Sequence, residues 1–292
     1  MRAALTPPAA PLLLKPHFAE RIWGGSRLGP GIGEAWDLSV HPNGPSQVAS
    51  GPWSGRTLAE LAGAHPEAFG GPIDLLAKRL DCAQTLSVQV HPKKGDPKTE
   101  AWVVLEADRG AGVYHGFARP TSAEEVRRSA QDKTLPSLLR FLETRRGDAV
   151  FVPSGTVHAI GAGLFLFEIQ QSSDTTFRIF DWGRPRELHL DAGLACSDFD
   201  AKEATPVPRH LPGQRVRLLE CDHFHVERVE TSAPAAIDPG ARWKALFVVE
   251  GAGTMDGVAA RAGETLLLPS PAGRRQFRPG APTTLLAYGP GR

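Results

Sequence analysis

The sequence predicts a mainly β protein built from two related barrels with a small helical insertion. Three observations lead there. Glycine and proline number 31 and 26 in a chain of 292 residues, a content that favours many turns and short strands over long helices. Short alternating or β-branched runs recur along the chain. A strand pattern also occurs twice in the same order. Val103–Glu106 (VVLE) followed by Gly110 is echoed by Phe247–Glu250 (FVVE) followed by Gly251. Gly147–Pro153 (GDAVFVP) is echoed by Gly263–Pro269 (GETLLLP). Ordered repetition of this kind points to a duplicated β unit.

Residues 1–60 are rich in Gly, Pro and Trp, with alternating runs such as Ala35–Val40, and read as strands and loops. Residues 57–70 read as a short helix, with Thr57 as N-cap and Glu60 at capping-box spacing. Leu86–Pro92 (LSVQVHP) and Glu100–Glu106 read as strands. Ser122 and Glu125 repeat the capping-box spacing, so residues 122–131 and 136–143 are expected to be helical. Strands resume at Ala149–Val152 and Leu164–Gln170. Pro206, Pro208 and Pro212 mark a linker. The expected division is therefore 1–205, carrying the helical segments, and 206–292, an all-β module.

Composition limits the function classes. The net charge is +1, with 41% hydrophobic and 22% charged residues and no concentrated basic run, so neither nucleic acid nor a membrane surface is an expected partner. Cys82, Cys196 and Cys221 are odd in number and form no C-x-x-C pair, which argues against a disulfide framework or a structural zinc knot. The apolar run Leu12–Leu14 is too short for a signal core, and the expected location is the cytoplasm.

The chemistry concentrates in the first copy of the repeat. Gly147, Pro153, Gly155 and His158 form G-x5-P-x-G-x2-H, which resembles the second motif of the cupin barrels. There, a tight turn aims the histidine into the barrel mouth. The Asn usual four residues after that histidine is replaced by Ala162. The second copy keeps Gly263 and Pro269 but has no histidine after them, so a degenerate, metal-free barrel is expected. Upstream, Gln89 and His91 lie two apart on one strand face, as do Lys98 and Glu100. Gln89, His91, Glu100 and His158 together offer two oxygens and two imidazole nitrogens, a set that suits Zn²⁺ with open positions. Singly, His91 reads as a turn residue, Glu100 as a solvated strand residue and His158 as a partner for a buried carbonyl. Their joint spacing is what points to metal. His223 and His225 share the H-x-H spacing but lack the accompanying acid and motif, and read as strand alternation.

Several segments resemble the short bacterial type I mannose-6-phosphate isomerases, a cupin family. They are Leu86–Pro92, Lys98–Trp102 (KTEAW), Pro153–Ile160 (PSGTVHAI), Glu168–Arg178 (EIQQSSDTTFR), Glu20–Gly25 (ERIWGG) and His41–Pro45 (HPNGP). The resemblance weakens after about residue 205. It implies two cupin-like barrels, one zinc ion per chain held by Gln89, His91, Glu100 and His158, and a sugar-phosphate substrate. It also implies substrate contacts at Lys78, Ser87, Lys98, Glu168 and Arg178. Members of the family interconvert mannose 6-phosphate and fructose 6-phosphate.

The residue types agree with such a reaction. Moving a carbonyl between C1 and C2 needs a general acid/base and positive charge beside the developing enediolate oxygen. Glu168, Lys98 and Arg178 supply these, with Glu168 the first choice for proton transfer and Lys98 the second. Lys78, Ser87 and Arg178 are candidates for the phosphate. The alternatives are an isomerase of different or broader specificity, a non-catalytic sugar-sensing cupin, and a metal oxygenase, which the lysine–arginine set fits poorly. A monomer and a homodimer are both compatible with the sequence.

Overall fold

The computed structural model describes residues 6–201, 209–270 and 273–291. The protein is mainly β, with three short α-helices among the described residues: Leu58–Ala64, Ala123–Gln131 and Leu190–Cys196. The chain divides into two compact units. One comprises Met1–His17, Trp36–Ala77 and Pro206–Arg292, the other Phe18–Ala35 and Lys78–Thr205. Residues 36–77 group with the C-terminal segment rather than with the chain around them.

Two sheets supply a core made of residues of the second unit. The six-stranded sheet runs in the order Ala149–Val152, Glu100–Ala107, Leu164–Gln171, Leu75–Cys82, Ile32–Leu38, His17–Glu20. The five-stranded sheet runs Phe177–Phe180, Val88–Val90, His158–Ile160, Gly112–Phe117, Leu139–Glu143. Leu80, Trp102, Val104 and Leu166 from the first sheet and Val113 and Ile160 from the second pack in one buried cluster. The opposite face of the five-stranded sheet presents Val88, Val90 and Ile179, which pack with Val126 and Leu194 of two helices.

The other unit repeats the plan. An eight-stranded sheet and a four-stranded sheet share a core that includes Val229, Leu246, Leu266, Leu285 and Ala287 with Met255 and Phe277.

The capping-box reading holds for Leu58–Ala64. Thr57 accepts from the Glu60 backbone N–H, and the Glu60 carboxylate accepts from the Thr57 N–H. Ser122 likewise accepts from the Glu125 backbone N–H. The expected helix over 136–143 is corrected. Leu135–Leu138 is a single 3-10 turn with Pro136 at its start, and Leu139–Glu143 is a strand paired antiparallel with Gly112–Phe117. Leu139 packs in the helix-covered cluster and Leu142 against the inter-sheet core. Residues three apart face opposite sides of a strand but the same side of a helix, so burying both leucines in different layers selects the strand. Of the expected linker, Pro206 and Pro208 lie outside the described residues. Pro212 sits in the turn between Arg209–Leu211 and Arg215–Glu220.

Candidate active site

The core face of each strand carries its apolar residues inward and then, at one end, switches to polar ones. Lys78 precedes Leu80 and Cys82 by the two-residue step of a strand face, Glu100 precedes Trp102 and Val104, and Glu168 follows Leu164 and Leu166. In the other sheet His115 follows Val113, and His158 precedes Ile160. Val88 and Val90 face the helices, so Gln89 and its i±2 neighbours Ser87 and His91 face the core side. Cross-strand register then aligns them. Arg178 lies opposite Gln89, Gln89 opposite His158, and His158 opposite His115. Across the six-stranded sheet Glu168 lies opposite Trp102, and Gln170 opposite Glu100. The turn that delivers His158 uses Gly155 at φ 90, a left-handed conformation that other residues adopt only under strain, and its N–H donates to the His91 carbonyl at 3.0 Å.

His91, Glu100 and His158 are fully buried, and one ligand atom from each lies within 4.8 Å of the others. The Nδ1 of His91 is 2.9 Å from the Thr175 carbonyl oxygen, and that of His158 is 2.8 Å from the Thr156 carbonyl oxygen. A carbonyl only accepts, so each Nδ1 carries a proton, and in the neutral ring Nε2 then keeps the lone pair. Both lone pairs meet the same carboxylate: His91 Nε2 is 3.3 Å from Glu100 Oε2, and His158 Nε2 is 3.2 Å from Glu100 Oε1. Burial, with the nearby Lys98 charge, lowers His91 to about 4, so its imidazole is neutral. Burial works against the Glu100 charge as well. The Lys98 charge outweighs it and holds the carboxyl well below the usual range. The two Nε2 atoms and the Glu100 carboxylate thus converge on one buried point, with the Lys98 ammonium beside them. Buried acceptors arranged this way are satisfied by a cation, and neutral imidazole nitrogens with a carboxylate are a common divalent-metal set.

Two lysines flank this centre. Lys98 places Nζ 2.9 Å from Glu100 Oε2 and 3.3 Å from His91 Nε2. Lys78 places Nζ 3.0 Å from Glu168 Oε1 and 3.9 Å from Glu34 Oε1. Burial disfavours the Lys78 charge, but Glu168 and Glu34 overcome it and hold its pKa above the ordinary lysine range. Glu168 is oriented further by Trp102, whose Nε1–H donates to Oε2 at 2.9 Å.

Comparison with known proteins places this geometry. Residues 12–108 match the family described as phosphomannose isomerase type I, catalytic domain. The chain is 35% identical to the mannose-6-phosphate isomerase of Streptococcus mutans over 302 residues, covering 92% of this chain and 95% of that one. The chain belongs to the type I mannose-6-phosphate isomerases. It is therefore an isomerase. It is also 35% identical to ManA of Bacillus subtilis over 275 residues, covering 84% of this chain and 87% of that one. The crystal structure of the mannose 6-phosphate isomerase from Bacillus subtilis superposes with a TM-score of 0.88 at 28% identity, covering 96% of this chain and 99% of that chain.

Against that background the remaining expected residues can be placed. The Ser87 hydroxyl donates to Gln89 Oε1 at 3.2 Å, and Gln89 Nε2 lies 3.3 Å from His158 Nε2. The amide thus borders the three acceptors, and a half-turn about its last bond would present Oε1 to them. Arg178 is half-buried. Its Nη1 donates to the Glu187 carbonyl at 2.8 Å, while its buried Nε has no partner. Burial, and then the neighbouring Arg186 charge, lower its pKa. His223 and His225 belong to the other unit, where His225 Nδ1 is bonded to the Pro290 carbonyl.

Four residues were missed by sequence reasoning: Glu34 behind Lys78, Trp102 on Glu168, Gln170 opposite Glu100, and His115 opposite His158. Trp102 and Gln170 could have been found from their two-residue spacing to Glu100 and Glu168. His115 bonds the Phe151 carbonyl at 2.8 Å, and burial lowers its pKa. No local signal marks it or Glu34.

Proposed function

We propose that the chain interconverts mannose 6-phosphate and fructose 6-phosphate through an enediol intermediate, with one zinc ion per chain. The observation that carries this reading is the convergence of the Glu100 carboxylate and the two imidazoles of His91 and His158 beside two acid–lysine pairs, in a chain of this family. His91, Glu100 and His158, with Gln89 through its amide oxygen, would hold the metal. When bound, the metal would supply positive charge to polarise the sugar carbonyl and its neighbouring hydroxyl. The paired sheets of each unit are read as cupin-like barrels, the C-terminal one degenerate.

The protein side chains perform the rest. Glu168, held in one orientation by the Trp102 indole N–H and the Lys78 ammonium, removes the proton at one carbon and returns it to the next. The fixed Lys78 charge favours the carboxylate between transfers. Lys98 stabilises negative charge growing on the enediolate oxygens. Arg178 receives the phosphate with its free Nε–H, and Ser87 and Lys78 complete that side. Because Lys78 already pairs with Glu168, substrate binding would share its charge between carboxylate and phosphate, coupling occupancy to the base. The test is a coupled assay with mannose 6-phosphate, run before and after chelation and after zinc is restored. Loss on chelation with recovery in zinc supports the reading. Full activity in protein shown to be metal-free by elemental analysis refutes the metal. Absence of product from zinc-loaded protein refutes the isomerisation.

A further inference from the structure

Two short connections pass from one sheet to the other beside the converging ligand residues. Residues 91–99 run from strand Val88–Val90 to strand Glu100–Ala107, with His91 at their start and Lys98 near their end. Residues 172–176 run from Leu164–Gln171, the strand of Glu168, to Phe177–Phe180, the strand of Arg178. The two connections are joined at their base by Thr99 and Gln171. The Gln171 N–H donates to the Thr99 carbonyl at 3.1 Å, and the Thr99 N–H donates to Gln171 Oε1 at 3.0 Å.

At their tips they meet on one carboxylate. Asp96 Oδ2 accepts from the Ser173 hydroxyl at 2.7 Å and from the Thr175 hydroxyl at 2.6 Å. Ser173 Oγ in turn accepts from the Thr175 backbone N–H at 3.2 Å. Thr175 is therefore held through its side chain and through its N–H, and both routes lead to Asp96. The Ser173 carbonyl accepts from the buried Gln170 amide at 2.6 Å, which ties the same connection to the core face. The Thr175 carbonyl is the one that accepts from His91 Nδ1 at 2.9 Å. A path of hydrogen bonds thus runs from Asp96 through Thr175 to the ring whose Nε2 lies 3.3 Å from Glu100 Oε2. Pro97 restricts the backbone of Asp96 as well, because a residue before proline is disfavoured in the helical region. Asp96 is exposed and Ser173 buried. The carboxylate thus brings the strength of a charged acceptor to the connection from the solvent side, without the penalty of burying a charge.

We propose that Asp96 is a positioning residue for His91, fixing the Thr175 carbonyl that keeps the imidazole in its Nδ1–H form and aims Nε2 at the metal. A ligating histidine depends on whatever holds its second nitrogen, which sets both the tautomer and the ring orientation. Here that partner is a carbonyl on a connection between strands, where no sheet ladder fixes its direction, and Asp96 supplies the restraint. Solvent can replace contacts to an exposed carboxylate, so their loss changes global stability little. The effect falls on the direction of one carbonyl, and stability and metal affinity therefore separate. The inference rests on the zinc reading above for the identity of the ion, whereas the path from Asp96 to His91 is a property of the chain alone.

Two measurements on the full chain test it. Zinc affinity is read by competition with a chromophoric chelator. Solvent exchange of the His91 Nδ1 proton is read by NMR on the metal-free chain, with the signal assigned by its loss in His91→Gln. Asp96→Ala should weaken zinc binding by about tenfold, the low end for groups that orient a ligating side chain. It should speed the exchange by about fivefold, the equivalent of one hydrogen bond, with little change in melting temperature. Thr175→Val removes the hydroxyl and keeps the carbonyl, and should weaken zinc binding similarly. Because both act on one path, the double variant should lose less than the product of the single losses. Asp96→Asn keeps an acceptor oxygen and should recover most of the affinity. An Asn variant as weak as Ala would mean that the charge attracts the cation at a distance, and overturns the positioning role. Wild-type affinity and exchange in Asp96→Ala, or single losses that multiply in the double variant, overturn it too. A wild-type chain that binds no zinc refutes the metal reading instead, and the exchange rates then decide this inference by themselves.

Discussion

Replacing Glu168 with Gln separates proton transfer from orientation at this centre. The side chain keeps its shape, and its amide oxygen can still accept from the Trp102 indole N–H, now 2.9 Å from Oε2. The charge is lost, and with it the ion pair to Lys78 at 3.0 Å. At an effective dielectric constant of about 20 that pair is worth about 5 kcal/mol of Coulomb energy. Glu34, 3.9 Å from the same ammonium, retains a large share of the balance. The expected net loss is about 2–3 kcal/mol, somewhat below the usual cost of orphaning a buried charge. That corresponds to a fall in melting temperature on the order of 5–10 °C, leaving a folded enzyme at assay temperature. Metal content should stay at the wild-type value, because Glu168 is not among the three converging residues. Under those conditions kcat for mannose 6-phosphate should fall at least about a hundredfold, the low end for a general acid/base, with a small change in KM. Elemental analysis, thermal melts and steady-state kinetics on one preparation give all three numbers. A kcat within a few-fold of wild type, with metal intact, would refute Glu168 as the base and transfer that role to Lys98.

Other outcomes follow from the same geometry. His91→Ala and His158→Ala should each lose most bound metal and activity, measured by elemental analysis and the coupled assay, since each removes one of the three His and Glu ligands that converge among the described residues. Trp102→Phe removes the donor to Glu168 while keeping most of the buried ring. It should lower kcat more than it alters KM and cost about 1–2 kcal/mol of stability in denaturant melts. Lys78→Ala and Arg178→Ala should raise KM for mannose 6-phosphate and narrow the gap in kcat/KM to free mannose. Lys78→Ala should also lower kcat, because Lys78 touches Glu168, whereas Arg178→Ala should spare it. The double variant His223→Ala, His225→Ala should keep wild-type metal stoichiometry, and a halved metal content would contradict the assignment of a single centre.

Local chemistry made the strands and the candidate ligands legible. Short apolar and β-branched runs marked Glu100–Ala107, Ala149–Val152 and Leu164–Gln171 within a residue or so, because strands covered on both faces read as near-continuous apolar segments. Gly155, Pro153 and His158 were readable because their spacing resembles a cupin motif with a tight turn, and Gly155 adopts the left-handed conformation such a turn uses. Two-residue spacing by itself put Gln89 with His91 on one strand face. Tertiary structure decided what spacing cannot encode. Leu139–Glu143 became a strand because its neighbour offered a sheet edge and two separate layers took Leu139 and Leu142. Residues 36–77 joined the C-terminal unit, a long-range choice with no local signature. The partners of Lys78 were equally invisible. Glu34 and Glu168 lie 44 and 90 positions away in sequence, and only cross-strand register brings their carboxylates to one buried ammonium. Sequence by itself determined which residue types face inward. Which of them meet was decided by sheet register, since electrostatics at about 3 Å depends on neighbours that the order of the chain does not name.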